Sequence, residues 1–233
     1  SMSIRFLHAA DLHLDSPFQG LDDRRAALRR EEQRELLSRL AGLADQEQAD
    51  IILLSGDLFD SNCTYRETML SLERAFSHCR ARVFIAPGNH DWYGLGSPWT
   101  SLALPEQVHL FTGAAPEAVV LPELGLRVWG AAFQGPESGP MLQGFSVERQ
   151  PGLREIMVLH GELNPQSRYG PLTEADIAGS GLDYLALGHI HSASGLRRAG
   201  NTHYAWPGCP EGRGFDECGE KGVYLGLLED DGT

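Results

Sequence analysis

The sequence is short of positive charge. Of its 233 residues 19 are Lys or Arg against 32 Asp or Glu, and Lys221 is the single lysine. The formal net charge of −13 argues against a chain that grips nucleic acid by bulk electrostatics, because phosphate binding depends on Lys and Arg displacing counterions. Cysteine is scarce as well. Cys63, Cys79, Cys209 and Cys218 show no CxxC spacing, which argues against a structural zinc site, and they are too few for a disulfide scaffold at this length. They are expected as thiols in a reducing compartment. No apolar run approaches the roughly 18 residues that a membrane span needs, and no charged-then-apolar leader pattern is present. A soluble cytoplasmic chain with no membrane partner is the expectation. Repeats and low-complexity linkers are also lacking, so residues 1–233 are expected to form one domain.

What is present is ordinary globular composition, 42% hydrophobic and 22% charged, at a length that supports a buried core. Residues 3–10 predict a strand. Residues 22–48 predict a long helix, with Leu28, Leu36, Leu37, Leu40 and Leu43 at helical spacing. Residues 50–55 predict a buried strand that stops at Gly56. Thr64 and Glu67 have capping-box spacing and predict a helix running to about Arg80. Residues 82–88 predict a third strand, broken at Pro87 and Gly88. This alternation predicts a parallel or mixed sheet covered by helices. The second half differs: strands are predicted within 117–133, 154–160, 183–188, 195–206 and 222–228, with one short helix near Thr173. Two layered sheets in an α/β domain are therefore expected.

Chemistry gathers at the C-terminal ends of the predicted strands, where open α/β folds place their sites. Asp11 and His13 follow the first strand two residues apart, a spacing that on extended backbone turns both side chains to one side. Gly56-Asp57 follows the second strand and Gly88-Asn89-His90-Asp91 the third. His160 ends a later strand, and Gly188-His189-Ile190-His191 another. Each fragment alone has a structural explanation as a turn, a helix cap or a satisfied buried histidine. Together, five strand ends each deliver a metal-competent group, and five of the nine histidines lie among them. His8, His78, His109 and His203 are read as structural, with His8 close enough to the first strand's end to touch the site. Mixed carboxylate, imidazole and amide donors without thiolate suit Mn²⁺, Fe²⁺ or Zn²⁺. Seven candidates (Asp11, His13, Asp57, Asn89, His160, His189 and His191) are too many for one ion with an open position. They fit two, if one carboxylate bridges, and two such ions can clamp a phosphate and activate water.

The ordered set D-x-H, GD, GNHD, H and GHIH, spanning Asp11 to His191, resembles the calcineurin-like metallophosphoesterases. That resemblance implies a four-layer α/β/β/α sandwich of two mixed sheets flanked by helices. It implies two divalent ions, most simply Mn with Fe or Zn as alternatives. Asp11, His13 and His191 would hold one, Asn89, His160 and His189 the other, with Asp57 between them. It also implies that His90 contacts the scissile phosphate and helps protonate the leaving oxygen. An acidic residue would orient it: Asp60 is similar in position, and Asp91 is its rival. FLHAADLHLDSPFQGL, LHGEL, YLALGHIH and PGCPEGRGFDECGEKG are similar to the bacterial SbcD-like DNA-repair exonucleases, although Cys209 and Cys218 depart from that branch's usual loop.

The branch resemblance implies an exonuclease that cleaves DNA phosphodiesters by in-line attack of a metal-bridging hydroxide. It adds an SMC-like ATPase partner, homodimerisation and a C-terminal cap domain missing from this chain as further expectations, though no apolar surface stripe argues for the dimer. Two other readings compete. A phosphoesterase for small nucleotides or diesters suits the acidic charge. A module that chiefly binds a partner ATPase fits less well, since all seven ligand positions are filled. Arg24, Arg25, Arg29 and Arg30 offer a local basic patch, or simply a solvated helix face.

Overall fold

Side-chain alternation along the first strands sets the layering. In β1 (Ile4–Ala9), Leu7 and Ala9 enter one apolar cluster while Ile4 and Phe6 enter another, as the period of two in extended backbone requires. In β2 (Ile51–Leu54) and β3 (Arg82–Ile85) the same division recurs. Ile52, Leu54, Val83 and Ile85 face the first cluster, and Ile51, Leu53 and Phe84 the second. The first cluster is closed by α1 (Asp23–Gln46), through Leu37, Leu40, Ala41 and Ala44, and by α2 (Arg66–Ser77), through Leu72 and Phe76.

The second cluster is the seam between two sheets. The computed structural model describes residues 3–210 and 222–231. In it β1, β2, β3 and β4 (Val108–Leu110) run parallel, and an antiparallel strand from the far end of the chain pairs with β1. The second sheet takes in β5 (Glu117–Leu121), β6 (Leu126–Gly130), β7 (Arg154–His160), β8 (Tyr184–Gly188), β9 (Arg197–Ala199) and β10 (Thr202–Ala205). Their order is β5-β6-β7-β8-β10-β9, parallel from β6 to β10 with antiparallel edges, and β11 (Val223–Leu228) is the strand beside β1. Both sheets are mixed, as expected. Fully burying a Leu, Ile or Phe contributes about 1.5–3 kcal/mol over leaving it exposed, so Ile51, Leu53, Phe84, Ile156 and Val158, all inaccessible in the seam, hold the layers together.

The fourth layer is thin. Met157, Leu159, Leu185 and Leu187 on the outer face of the second sheet are covered by the five-residue α3 (Glu174–Ala178), through Ile177, and by irregular chain carrying Met141, Leu142 and Leu172.

Several local expectations need correcting. Leu28 is 54% exposed, because the buried stripe of α1 is carried by Leu36, Leu37 and Leu40. The Thr64–Glu67 capping box does not form, for the Thr64 hydroxyl donates to the Ser61 carbonyl instead. The start of α2 is held by Asp15, a carboxylate brought in from the loop after β1. It accepts from the Tyr65 amide at 2.9 Å and the Thr68 hydroxyl at 2.7 Å, and a negative charge is favourable at that helix end. The helix then stops at Ser77, short of Arg80. Residues 117–133 and 195–206 each fold as a pair of antiparallel strands. Cys218 and most of the PGCPEGRGFDECGEKG stretch lie outside the described residues.

Parallel pairing puts the C-terminal ends of β1, β2 and β3 on one edge, and those of β7 and β8 on the facing edge of the other sheet. Those two edges carry the candidate site.

Candidate metal centre

The loops after β1 and β2 continue side by side past the strands. The Asp11 amide donates to the Gly56 carbonyl at 2.9 Å and the His13 amide to the Asp57 carbonyl at 3.0 Å. The backbone there is not extended: φ is 56° at Asp11, 46° at His13 and 53° at Asp57. Asp11 and His13 therefore share a neighbourhood, as expected, but not by the alternation of extended backbone. With His189 at φ 107°, four of the six non-glycine residues with positive φ among the described residues are candidate ligands. Such conformations cost roughly 1–3 kcal/mol each and persist where surrounding structure enforces them, as it does at functional sites.

All seven candidates converge, in two groups joined by one carboxylate. In the first, His13 Nε2 lies 3.3 Å from His191 Nε2, 3.9 Å from Asp11 Oδ1 and 4.0 Å from Asp57 Oδ2. In the second, His160 Nε2 lies 2.9 Å from Asn89 Oδ1 and 3.2 Å from Asp57 Oδ2, and His189 Nδ1 is 3.3 Å from the same Asn89 oxygen. Asp57 Oδ2 faces both groups. Its other oxygen accepts from the His90 amide at 2.8 Å, which fixes the carboxylate's rotation.

Surrounding groups aim these donors. His160 Nδ1–H donates to the Ser55 carbonyl at 2.7 Å, so its Nε2 lone pair is the one presented to the site. His13 Nδ1 is 3.1 Å from Asp60 Oδ1, which orients that ring in the same way. Glu162, not singled out from the sequence, sets its Oε2 3.6 Å from His189 Nε2. Asp91, fully buried, accepts from the amides of Asp57, Leu58 and Gly88, so it shapes the loops and does not orient His90. Gly88 is required here, because a Cβ would sit 2.5 Å from Asp57 Oδ1 and 2.8 Å from the His160 ring.

His90 is exposed, with Nδ1 2.9 Å from the backbone carbonyl of Asp60. The expected acidic partner thus meets His90 through its main chain, and its carboxylate serves His13. Asp60, Asn89 and His90 line a groove of about 460 Å³ whose other walls include Trp92, Pro136 and Tyr169. His8 is structural: it is buried between the sheets, bonded to Tyr184, Ser55 and the Leu187 carbonyl.

The electrostatics suit a cation. Burial pushes the Asp11 carboxyl well above its usual range, opposed by His160 and reinforced by Asp57. Its Oδ1 is buried without a hydrogen-bond partner. Burial and the charge of Asp57 push Asp91 up to about 6. Burial would also raise Asp57, but the adjoining His160 holds it below the usual carboxylate range. For His160 burial works against the proton, yet the Asp57 charge and hydrogen bond hold it up to about 9. Burial lowers His13, and lowers His189 to about 4. Two carboxylates, four imidazoles and one amide oxygen in one cleft, with an orphaned carboxylate oxygen among them, fit divalent cations of oxygen- and nitrogen-binding type.

The arginines of α1 are mostly engaged. Arg25 pairs with Asp22, Arg29 with Glu32, and Arg30 lies over the Tyr65 ring at 4.9 Å. No helix among the described residues is long and apolar enough to cross a membrane.

Comparison with known proteins agrees with this geometry. The family profile described as calcineurin-like phosphoesterase matches residues 4–193. The chain is 35% identical over 95% of its length to the metallophosphoesterase YhaO of Bacillus subtilis (strain 168), and 25% identical over 95% to the DNA double-strand break repair protein Mre11 of Saccharolobus solfataricus. It spans 57% and 60% of those two proteins. Among solved structures, TT1561 of Thermus thermophilus shares the fold with a TM-score of 0.55 at 14% identity, covering 89% of this chain and 90% of that one.

Proposed function

The chain belongs to the calcineurin-like phosphoesterase family, and from that premise we propose a binuclear metal-dependent phosphodiesterase that degrades DNA from its ends. The observation that carries the reading is the placement of Asp57 Oδ2, 4.0 Å from His13 Nε2 and 3.2 Å from His160 Nε2. One carboxylate oxygen so placed can serve two ions. Asp11, His13 and His191 would hold the first, Asn89, His160 and His189 the second. Mn²⁺, or alternatively Fe²⁺ or Zn²⁺, would when bound supply activation of water and neutralisation of phosphoryl charge.

The chain's own groups do the rest. Burial of Asp11 and Asp57 strengthens their attraction for the divalent cations, whose charge would offset the repulsion between these carboxylates and a phosphate in the cleft. His90 Nδ1–H is committed to the Asp60 carbonyl, so Nε2 is the atom that carries a proton to the leaving oxygen. Asp60 is then a positioning residue twice over, through its carbonyl for His90 and through its carboxylate for His13. The groove walled by Trp92 and Tyr169 supplies flat apolar surface for the part of the substrate next to the phosphate.

DNA as substrate is supported by the resemblance to the nuclease branch and by similarity to a protein named for double-strand break repair. An SMC-like ATPase partner, a second copy of the chain and a following cap domain belong to the same proposal. A small nucleotide or diester is the second reading, favoured by the net charge of −13 and by the pairing of the α1 arginines. Mn²⁺-loaded protein tested on linear duplex DNA, single-stranded DNA and a chromogenic diester separates the two. Nucleotide release from DNA ends is expected. Hydrolysis of the small diester alone would overturn DNA in favour of the second reading.

A further inference from the structure

Cys209 stands where no sequence pattern put it. One ligating atom from each of His13, His191 and Cys209 lies within 4.8 Å of the other two. The position is built from the backbone up. The Cys209 amide donates to the His191 carbonyl at 3.0 Å, so the two residues are locked side by side. Just before it, Gly208 has φ 80°, and a Cβ there would meet the Ala193 nitrogen at 2.8 Å and the His191 oxygen at 2.9 Å. That bare backbone lets the chain press against the loop after β8. Trp206 and Ser194 clamp the same stretch by mutual bonds of 2.9 and 3.0 Å. A second observation points into the same place: Asp11 Oδ1 is buried, has no hydrogen-bond partner and lies 3.9 Å from His13 Nε2.

We propose that Cys209 is a thiolate ligand of the ion held by His13 and His191, giving that position a donor set of two imidazoles, two carboxylates (Asp11 and the shared Asp57) and one sulfur. This rests on the binuclear reading above and adds a metal preference to it. On coordination the thiol proton leaves to solvent and Sγ takes its place on the ion. Sulfur favours Zn²⁺, Co²⁺ or Fe²⁺ over Mn²⁺, which prefers oxygen donors. The two positions then differ: the one with Asn89, His160 and His189 is sulfur-free and accepts Mn²⁺, while the one with Cys209 selects a softer ion. The chain would work best as a mixed-metal enzyme.

Cobalt reads this directly. Metal-free wild type and Cys209→Ser are titrated with Co²⁺, following bound cobalt and the near-ultraviolet thiolate-to-cobalt charge-transfer band. Wild type is expected to take up two ions with the band appearing during uptake, and Cys209→Ser two ions without it. In zinc–manganese competition the variant should shift toward manganese by on the order of tenfold or more. Should the variant fail to fold, X-ray absorption of zinc-loaded wild type must still show one sulfur at about 2.3 Å. Two cobalt ions bound without a charge-transfer band, a band that survives in Cys209→Ser, or zinc with no sulfur neighbour would each overturn the assignment and leave the binuclear reading intact. Uptake of fewer than two ions by wild type would instead overturn the binuclear reading itself, and this inference with it.

Discussion

Ser55 and His160 meet across the seam between the sheets, the His160 Nδ1–H donating to the Ser55 carbonyl oxygen at 2.7 Å. The Ser55 hydroxyl in turn donates to the Ala186 carbonyl at 2.9 Å and lies 3.1 Å from His8 Nε2. Sheet packing and side-chain orientation in the candidate site are thus one structure: the residue that ties β2 to β8 also aims a candidate ligand.

Ser55→Ala tests that coupling. The loss of a buried hydrogen bond costs about 1–3 kcal/mol where it strands a partner, so the midpoint of denaturant unfolding should fall. Metal affinity should weaken by less than the roughly tenfold that follows when a group supporting a ligand is lost. The His160–Ser55 carbonyl bond survives the substitution, so stoichiometry should not change. Unfolding curves and a metal titration of the same preparation check both.

His90 and Asp60 should separate kinetically. His90→Ala is expected to lower kcat by about 10²–10⁴, the range of a lost general acid, with metal content retained. Asp60→Asn keeps the carbonyl that holds His90 but weakens the support of His13. It should raise the metal concentration needed for activity by roughly 10–100-fold and leave the saturated rate closer to wild type. A saturated rate as low as that of His90→Ala would mean that the Asp60 carboxylate acts on His90 after all.

His8 predicts acid sensitivity. Burial drives its pKa down to about 3, against 6.5 in the unfolded chain, although the Leu187 carbonyl bond works the other way. The unfolded chain therefore binds the extra proton between those values. The stability this neutral histidine supports is complete above pH 6.5 and is lost as pH falls toward 3, at up to about 1.4 kcal/mol per pH unit. Unfolding free energies of metal-free wild type and His8→Gln, measured from about pH 7 to about pH 4, should differ in slope by close to one proton, with the variant the less acid-sensitive. Equal slopes would contradict the account.

Much of the site was legible because parallel strands deliver their C-terminal ends to two facing sheet edges, and five such ends bear metal-competent residues in order. Hydrophobic runs placed β1, β2, β3, β7 and β8 for the same reason. What escaped depends on contacts distant in sequence. Asp15 caps α2 from 50 residues away, overriding the local Thr64–Glu67 signal. Asp60 turned out to divide its carbonyl and carboxylate between two histidines, which spacing cannot show. Glu162 sat inside a quoted motif, yet only the fold places it against His189. Cys209 offered no local signal, since the absence of CxxC says nothing about a thiol brought beside two histidines by a loop. The left-handed backbone at Asp11, His13 and Asp57 likewise has no glycine to announce it.

The most direct test of the binuclear reading is metal analysis of Asp57→Asn beside wild type, with hydrolysis of a chromogenic diester measured on the same samples. Wild type should retain two divalent ions per chain and hydrolyse the diester, while Asp57→Asn, folded by circular dichroism, should lose both ions and the activity. A folded variant that keeps two ions, or a wild type that binds one and is fully active, would contradict a shared carboxylate at the centre of the site.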